Sequence, residues 1–426
     1  MLSYESTVAV RRDLHRHPEP AWCEFRTASK VVAALRAMGW AVKFGRDVVQ
    51  ADARMGLPDP RELDRFYRLA LESGADKDTL SALKGGYTGV VATLEGAERG
   101  PTIALRFDMD ANLGQEATSD DHFPVRQGFA SLNVGVHHNC GHDGHTAIGL
   151  AVAQLIADAK SSLRGRIKLI FQPAEEGLRG ANAIIAAGAL EGVDILVGAH
   201  IGVQARKLGL IVGGYHNILA STKIDAAFYG KGSHAAISPH EGRNALMAAC
   251  VATQNLLALP RHGEGETRIN VGLLSGGVSR NTIPSEAKLA AELRADTTAI
   301  LTELERSAAN VLQGAAQMYD VRLEVTKAGS SCAASSDDEL VDMICEAAPG
   351  VEGVAEVRRI DDFKASDDVA LMMDFVQKTG GKAVYFGLGS SLVHPHHNPH
   401  FDFDEQAMPI GIEIFSRALK RLGVLR

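Results

Sequence analysis

The sequence predicts an α/β protein whose central, mostly parallel sheet carries an inserted, smaller α+β domain. Short apolar runs of strand length alternate with helical segments in the main part, and polar side chains follow these runs. Between residues 218 and 330 the strand candidates are only half-alternating, and the buried-strand pattern resumes at Lys382. We therefore expect a discontinuous main domain, 1–217 and 331–426, and an inserted domain, 218–330.

Periodicity and composition predict the individual elements. The buried strands of the main domain are Thr102–Phe107, Arg166–Gln172, Val193–Ala199 and Lys382–Gly389, and helices lie over Thr146–Ala159 and Ala181–Leu190. The inserted domain has strand candidates at 222–230, 267–277 and 287–295, with a helix over Asn244–Leu259. The polar, helix-prone segment Arg54–Gly86 predicts a surface insertion.

Length and composition exclude several classes of protein. A chain of 426 residues exceeds the usual ceiling for one hydrophobic core, so two domains are expected. The net charge of −8 disfavours a general affinity for nucleic acid or for anionic membranes. No segment approaches the roughly 20 apolar residues that span a bilayer, and the amino terminus has no apolar run of signal-peptide length. Five scattered cysteines suit a reducing compartment, so we expect a cytoplasmic location.

Polar side chains follow every predicted buried strand of the main domain. In chain order they are Asp108 and Asp110, then Glu175 and Glu176, then His200, and finally His394, His396, His397 and His400; Cys140 and His142 precede a helix. Because the carboxyl ends of parallel strands meet at one edge of a sheet, we expect these side chains to lie together. Thiolate, imidazole and carboxylate favour a divalent transition metal, with Mn or Zn expected first and Co or Ni also accepted.

The adjacent glutamates can divide two tasks, because one carboxylate can bind a metal while the other accepts a proton from water. Taken singly, Cys140 is equally readable as a packed thiol or a nucleophile, and the glutamates and histidines as solvated groups. A Cys–His nucleophile would leave Glu175, Glu176 and His200 without a role. The coincidence of all these groups at one sheet edge favours the metal site.

Six segments in chain order carry a family resemblance: NCGHDGHT, IFQPAEEG, VGAHIG, YGKGSHAA, GGVSRNTIP and HHNPHFDFDE. They resemble the motifs of the metallo-amidohydrolase branch of the dinuclear aminoacylase/glutamate carboxypeptidase family, which includes hippurate hydrolase and hydrolases of indoleacetyl-amino acids. The amino-terminal RRDLHRHPEPAWCEFRTA, with RMGLPD and GGYTGVVATL, more narrowly resembles the catalytic subunit of aminobenzoyl-glutamate hydrolase. The resemblance extends from about residue 8 to the end of the chain.

The resemblance implies one or two metal ions per subunit. Its ligand set would be Cys140 shared between two ions, His142 and Glu176 on one ion, and His200 and His397 on the other, with His396 as the alternative to His397. Glu175 would be the general base, while Asp108 and Asp110 would orient the ligands.

The inserted domain would, by the same resemblance, be a lid and the surface of a homodimer. His234 would stabilise the carbonyl oxygen as it becomes anionic, and Asn281 and Arg294 would contact a substrate carboxylate. A structural ion pair for Arg294 and a turn-forming role for Asn281 remain alternatives.

The implied activity is hydrolysis of a non-peptide C–N bond in an acidic aromatic substrate, foremost the amide of an N-aroyl or N-acyl amino acid such as aminobenzoyl-glutamate. The chain departs from the family pattern at two places: His137–Asn139 stands where Met-His-Ala is common, and Ala111–Asn112 where Ala-Leu is usual. Hydrolytic deamination of an aminobenzoate such as 5-nitroanthranilate therefore stays as an alternative. A non-catalytic metal-binding subunit is a second alternative, which the presence of Glu175 disfavours. The resemblance also leaves open a companion subunit.

Overall fold

The computed structural model describes residues 3–425. Contacts divide this chain into two units, one formed by the residues up to Asn217 and from Ala334 onward, the other by Ile218–Ala333. The second junction lies three residues beyond the predicted boundary at 330. The turn there still bonds within the second unit, because the Ala333 amide donates to the Thr298 hydroxyl at 3.0 Å.

The strands, in chain order, are β1 (Ala41–Phe44), β2 (Val90–Glu95), β3 (Glu98–Asp108), β4 (Asn112–Leu113), β5 (Val136–His137), β6 (Arg164–Gln172), β7 (Ile195–Ile201), β8 (Leu210–His216), β9 (Ala220–Tyr229), β10 (Thr267–Gly276), β11 (Glu286–Ala295), β12 (Arg322–Ser331), β13 (Glu356–Asp362) and β14 (Lys382–Leu388). The helices are α1 (Tyr4–Arg16), α2 (Phe25–Ala37), α3 (Pro60–Glu72), α4 (Lys77–Leu83), α5 (Phe123–Arg126), α6 (His142–Asp158), α7 (Ala181–Ala186), α8 (Ala245–Leu257), α9 (Thr298–Met318), α10 (Asp338–Ala347), α11 (Val369–Lys378) and α12 (Ala407–Arg421). No helix between residues 3 and 425 is long and apolar enough to cross a membrane.

Across the described residues, the first unit contains an eight-stranded sheet in the order β1-β2-β6-β3-β7-β14-β8-β13. The four neighbours β6, β3, β7 and β14 run parallel to one another, as predicted. Antiparallel pairing of β1 with β2, β2 with β6 and β14 with β8 makes the whole sheet mixed. The carboxyl ends of the four parallel strands therefore meet at one edge, where an α/β sheet presents its ligand site.

All four predicted buried strands are present, as β3, β6, β7 and β14, and β14 is buried on both faces beyond its first residue. The predicted helix over residues 146–159 begins earlier, at His142, as α6. The helix predicted from Ala181 ends at Ala186, because the chain turns at Gly188, which has φ +80°.

The segment from residue 54 to 86 was expected to be a surface insertion, and that expectation is wrong in part. It forms α3 and α4, and their side chains Phe66, Leu80 and Leu83 are fully buried in the main core. The polar composition of the segment reflects the outward faces of two amphipathic helices that pack on α2.

The second unit is an antiparallel sheet in the order β10-β11-β9-β12 with α8 and α9 packed against it, which confirms the α+β prediction. Alternate residues of the central strands, such as Phe228 and Leu293, are buried under these helices. Helix α9 was not predicted, although Leu304, Ala308 and Leu312 recur at a spacing of four and share its buried face.

Candidate metal centre

The polar side chains at the edge of the parallel strands converge in the first unit. Three groups each bring one ligand atom per residue within 4.8 Å of one another: Cys140 with His142 and His200, Cys140 with Glu176 and His397, and His142 with Glu175 and Glu176. Cys140 belongs to two of these groups, as a residue shared between two ions would.

The turn between Cys140 and His142 depends on Gly141, which caps α6 with φ +90°, a left-handed conformation that favours glycine. This turn directs Cys140 to His200, where Sγ lies 3.6 Å from Nε2. Although Cys140 keeps some solvent exposure, desolvation and the carboxylates of Glu176 and Glu175 raise the pKa of its thiol well above the usual value. A bound cation would reverse that preference, because it stabilises the thiolate.

His142 has the bonding pattern of a metal ligand. Its Nδ1 lies 2.9 Å from the backbone oxygen of Asp110, which orients the ring and leaves the lone pair of Nε2 directed into the site. Within the described chain, the buried Nε2 atom has no hydrogen-bond partner. Burial lowers the pKa of His142, but Asp108 and Asp110 outweigh it and raise the pKa to about 10. The excess negative charge and the unpaired nitrogen both fit a divalent cation.

The turn that carries the two glutamates is held by buried carboxylates. Asp110 accepts hydrogen bonds from the backbone amides of Glu175 at 3.0 Å and Glu176 at 2.8 Å. Glu24 accepts from the amide of Ala174 at 2.7 Å, and Ala174 has φ +53°, a left-handed conformation that is costly for alanine. These bonds hold the two glutamates in different surroundings.

The surroundings of Glu175 and Glu176 move their pKa values apart. Burial and the nearby Asp367 raise the pKa of Glu175 well above its usual value. Burial also acts on Glu176, but the hydrogen bond from His397 outweighs it and lowers the pKa to about 2. Two neighbouring carboxyls with opposite preferences are typical of an acid–base group beside an anionic one.

His200 is held in the neutral form that binds metals. Its Nδ1 lies 2.9 Å from the backbone oxygen of Ile201, so Nε2 faces Cys140. Burial, with the ring of His145 nearby, holds the pKa of His200 well below its usual value.

Sequence reasoning missed His145, which supports both neighbouring histidines. Its Nδ1 lies 2.6 Å from Oδ1 of Asp108, its Nε2 accepts from the amide of Ile201 at 3.0 Å, and its ring lies 4.8 Å from that of His200. The available signal was its place three residues after His142 on one helix face.

Arg106 and a pair of aspartates were also missed. The guanidinium of Arg106, 1% exposed, bonds Asp108 at 2.5 Å, Asp367 at 3.1 Å and Asp368 at 3.4 Å. This buried cation offsets carboxylates that would otherwise repel one another beside Glu175. A charged residue inside the apolar run of β3 was the visible sign.

The histidine-rich tail places His397, rather than His396, with Cys140 and Glu176. Nε2 of His397 lies 3.4 Å from Oε1 of Glu176. His396 instead directs Nε2 to the backbone oxygen of Ile201 at 2.9 Å.

The predicted substrate residues of the inserted domain lie in the second unit. Nδ1 of His234 accepts from the backbone amides of Ala236 and Ile237 at 3.2 and 3.1 Å. Asn281 lies in the adjacent loop, where its backbone oxygen accepts from the amide of Ala235 at 3.0 Å. Arg294 pairs with Glu292 at 2.9 Å, the structural ion pair that the sequence left as an alternative.

An edge of parallel strands lined by a thiol, imidazoles and carboxyls, with a buried carboxyl of raised pKa among them, defines the class of metal-dependent hydrolases. The chain belongs to peptidase family M20/M25/M40, whose description matches residues 104–421. This match confirms the resemblance seen in the motifs.

Named relatives narrow the similarity. The chain is 45% identical to the indole-3-acetyl-aspartic acid hydrolase of Enterobacter agglomerans, over 95% of this chain and 92% of that protein. It is 43% identical to one named subunit of the p-aminobenzoyl-glutamate hydrolase of Escherichia coli K12, over 96% of this chain and 93% of that protein. The crystal structure of an aminobenzoyl-glutamate utilization protein from Klebsiella pneumoniae superposes with a TM-score of 0.83 at 39% identity, covering 97% of this chain and 95% of that one.

Proposed function

We propose that the protein hydrolyses the amide bond between an aromatic acyl group and an acidic amino acid, as in aminobenzoyl-glutamate. The observation that carries this proposal is the pair of relatives above 40% identity, whose named substrates both join an aromatic acyl group to aspartate or glutamate. Neither alternative from the sequence is favoured, because both relatives are named hydrolases of such conjugates.

We assign one metal position to Cys140, His142 and His200 and a second to Cys140, Glu176 and His397, which is supported by the distances among their ligand atoms. This pairing differs from the one that the motif resemblance implied, in which Glu176 accompanied His142. When bound, such ions polarise a carbonyl and lower the pKa of water. We propose Mn or Zn, with Co or Ni accepted by the same ligand set.

The residues of the chain supply the proton transfers. Glu175 would take the proton of the attacking water and deliver it to the departing nitrogen, which its raised pKa and its position beside His142 support. Asp110 holds the backbone of Glu175 and orients His142, while Asp108 orients His145.

We assign substrate contacts to the second unit from the motif resemblance. His234 would stabilise the oxygen of the cleaved carbonyl, and Asn281 and Arg294 would contact the substrate carboxylate, for which a guanidinium is well shaped. The unit would serve as a lid that excludes water.

We also propose a homodimer formed through the second unit. Its edge strand β10 exposes Leu273 by 70%, and the following Val278 is 93% exposed, an arrangement suited to pairing with a second copy. A companion protein chain is supported by the name of the Escherichia coli relative, which designates it as one of the subunits of its hydrolase. Cysteines without disulfide bonds support a cytoplasmic location.

Product analysis tests the proposal. Purified protein loaded with Mn or Zn is incubated with aminobenzoyl-glutamate and, in parallel, with 5-nitroanthranilate, and Glu175→Ala serves as the inactive control. We expect release of glutamate and aminobenzoate, lost in the variant. Ammonia from the nitroanthranilate alone would replace amide hydrolysis with aromatic deamination.

A further inference from the structure

The residues that depart from the family pattern form one hydrogen-bonded chain that ends on Glu176. Strands β4 and β5 pair antiparallel and place Asn112 opposite His137. Nδ2 of Asn112 lies 2.5 Å from Oε1 of Glu176 and 2.7 Å from Oδ1 of Asn139. Nδ2 of Asn139 in turn lies 2.9 Å from Nε2 of His137.

The carboxylate at the end of this chain determines the direction of every hydrogen bond in it. An ionised Glu176 only accepts, so Asn112 must present its amide group and give its second hydrogen to Oδ1 of Asn139. Asn139 then donates to Nε2 of His137, which must be the unprotonated nitrogen of a neutral ring. His137 is 1% exposed, and this burial disfavours its charged form.

Asn139 also connects the chain to the other two ligands of the same metal position. Its backbone oxygen accepts from the amide of His397 at 2.9 Å, and Cys140 is its covalent neighbour. His397 has φ +64°, a conformation that needs such support in a residue with a side chain. All three ligand residues are therefore tied to Asn139, and Glu176 is tied through Asn112.

We propose that Asn112 and Asn139 are positioning residues that orient Glu176 and strengthen metal binding at the position of Cys140, Glu176 and His397. The inference rests on the proposed function, since it takes these residues as ligands. One carboxylate oxygen of Glu176 is already engaged by an amide, which limits the orientations of the group before a metal arrives. Leucine at position 112 would remove that hydrogen bond and leave the exposed His397 as the remaining bonded neighbour described for Oε1.

The test compares metal binding in the unmodified protein and three variants, all prepared with Co²⁺. Asn112→Leu removes the donor to Glu176. The triple variant Asn112→Leu, His137→Met, Asn139→Ala replaces the whole polar chain by the apolar pattern of the family, so no partner is left buried and unpaired. Asn182→Leu, at an exposed asparagine of α7 whose amide bond to Ala53 is long at 3.4 Å, is the matched control.

Competition with a chelator gives the affinity of each ion, and the visible absorption of Co²⁺ reports its coordination. We expect one of the two ions to bind about 10- to 100-fold more weakly in Asn112→Leu and in the triple variant, with an altered spectrum. The other ion and the Asn182→Leu protein are expected to be unchanged. A purely structural role would leave affinity and spectrum unmoved in the folded triple variant, and that result overturns the inference alone.

Failure of the proposed function gives different results. Absence of cobalt binding by the unmodified protein would overturn the ligand assignment and this inference with it. Normal cobalt binding that weakens as expected, without hydrolysis of aminobenzoyl-glutamate, would support the inference and overturn only the substrate.

Discussion

Nε2 of His142 lies 3.9 Å from Oε2 of Glu175, and both side chains are buried. Within residues 3–425 this nitrogen has no hydrogen-bond partner, which is costly for a buried polar atom unless a ligand occupies the site. The arrangement places a metal-binding atom beside a carboxyl that favours its protonated form. It is the basis for the first two predictions.

Glu175→Gln should abolish proton transfer while keeping the site in place. We expect kcat to fall by about 10²- to 10⁴-fold, because a positioned general base contributes that much. Metal content, measured by atomic emission after dialysis, should stay unchanged, since Glu175 is not among the assigned ligands. Glu352→Gln, at an exposed glutamate, is the control; equal activity in both variants would contradict the role.

Removal of metal should destabilise the protein as well as inactivate it. A ligand that binds only the folded state adds about 2.7 kcal/mol of unfolding free energy at a concentration 100-fold above its dissociation constant. We therefore expect a chelator to lower Tm, and Mn or Zn to restore it. Cys140→Ser should show a smaller rise in Tm on adding metal, and Cys250→Ser an unaltered one. A Tm insensitive to the chelator in the unmodified protein would argue against a structural contribution of the ions.

Stability should fall as pH rises toward 9 because of His15. Its ring nitrogens lie 2.8 Å from Asp143 and 2.9 Å from Glu116. Burial lowers the pKa of His15, but these carboxylates outweigh it and raise the pKa to about 9. The stabilisation is therefore fully present below the unfolded pKa of about 6.5 and is lost as pH rises through about 9.

The expected loss is on the order of 3 kcal/mol, since one pKa unit is equivalent to about 1.4 kcal/mol. Urea unfolding between pH 6 and 9.5 measures it. His15→Gln should flatten this dependence, whereas His240→Gln, at an exposed histidine, should keep it. An unchanged pH profile in His15→Gln would assign the dependence to other groups.

Arg106→Met should be strongly destabilising. The substitution leaves Asp108, Asp367 and Asp368 buried without their cation, a defect that costs about 3–5 kcal/mol. Arg322→Met removes an exposed ion pair with Glu324 and should cost less than about 1 kcal/mol. Similar denaturation midpoints for the two variants would show that the buried carboxyls adapt by taking up protons.

Leu273→Lys should dissociate the proposed dimer, because it places a charge on the exposed face of the edge strand β10. Val325→Lys makes the same change on β12, the opposite edge of the sheet, and should leave the dimer intact. Light scattering coupled to size-exclusion chromatography measures both masses. A monomeric unmodified protein would remove the proposal.

Local patterns in the sequence determined the fold class, the parallel strands and the family. Burial on both faces imposes continuous apolar runs on β3, β6, β7 and β14, so these strands are visible without a structure. The residues after each run, such as Glu175 and His200, follow from the rule that ligands collect at the carboxyl ends of parallel strands. The helix α9 was equally visible and was overlooked.

Only the tertiary structure decided how those side chains pair. It grouped Glu176 with His397 instead of His142, brought Arg106 to Asp367 across 261 positions of sequence, and linked Asn112 to Glu176. Apolar periodicity is a local property that each segment carries by itself. Hydrogen bonds and ion pairs between distant residues depend on the packing of the whole unit, so their partners cannot be derived from spacing along the chain.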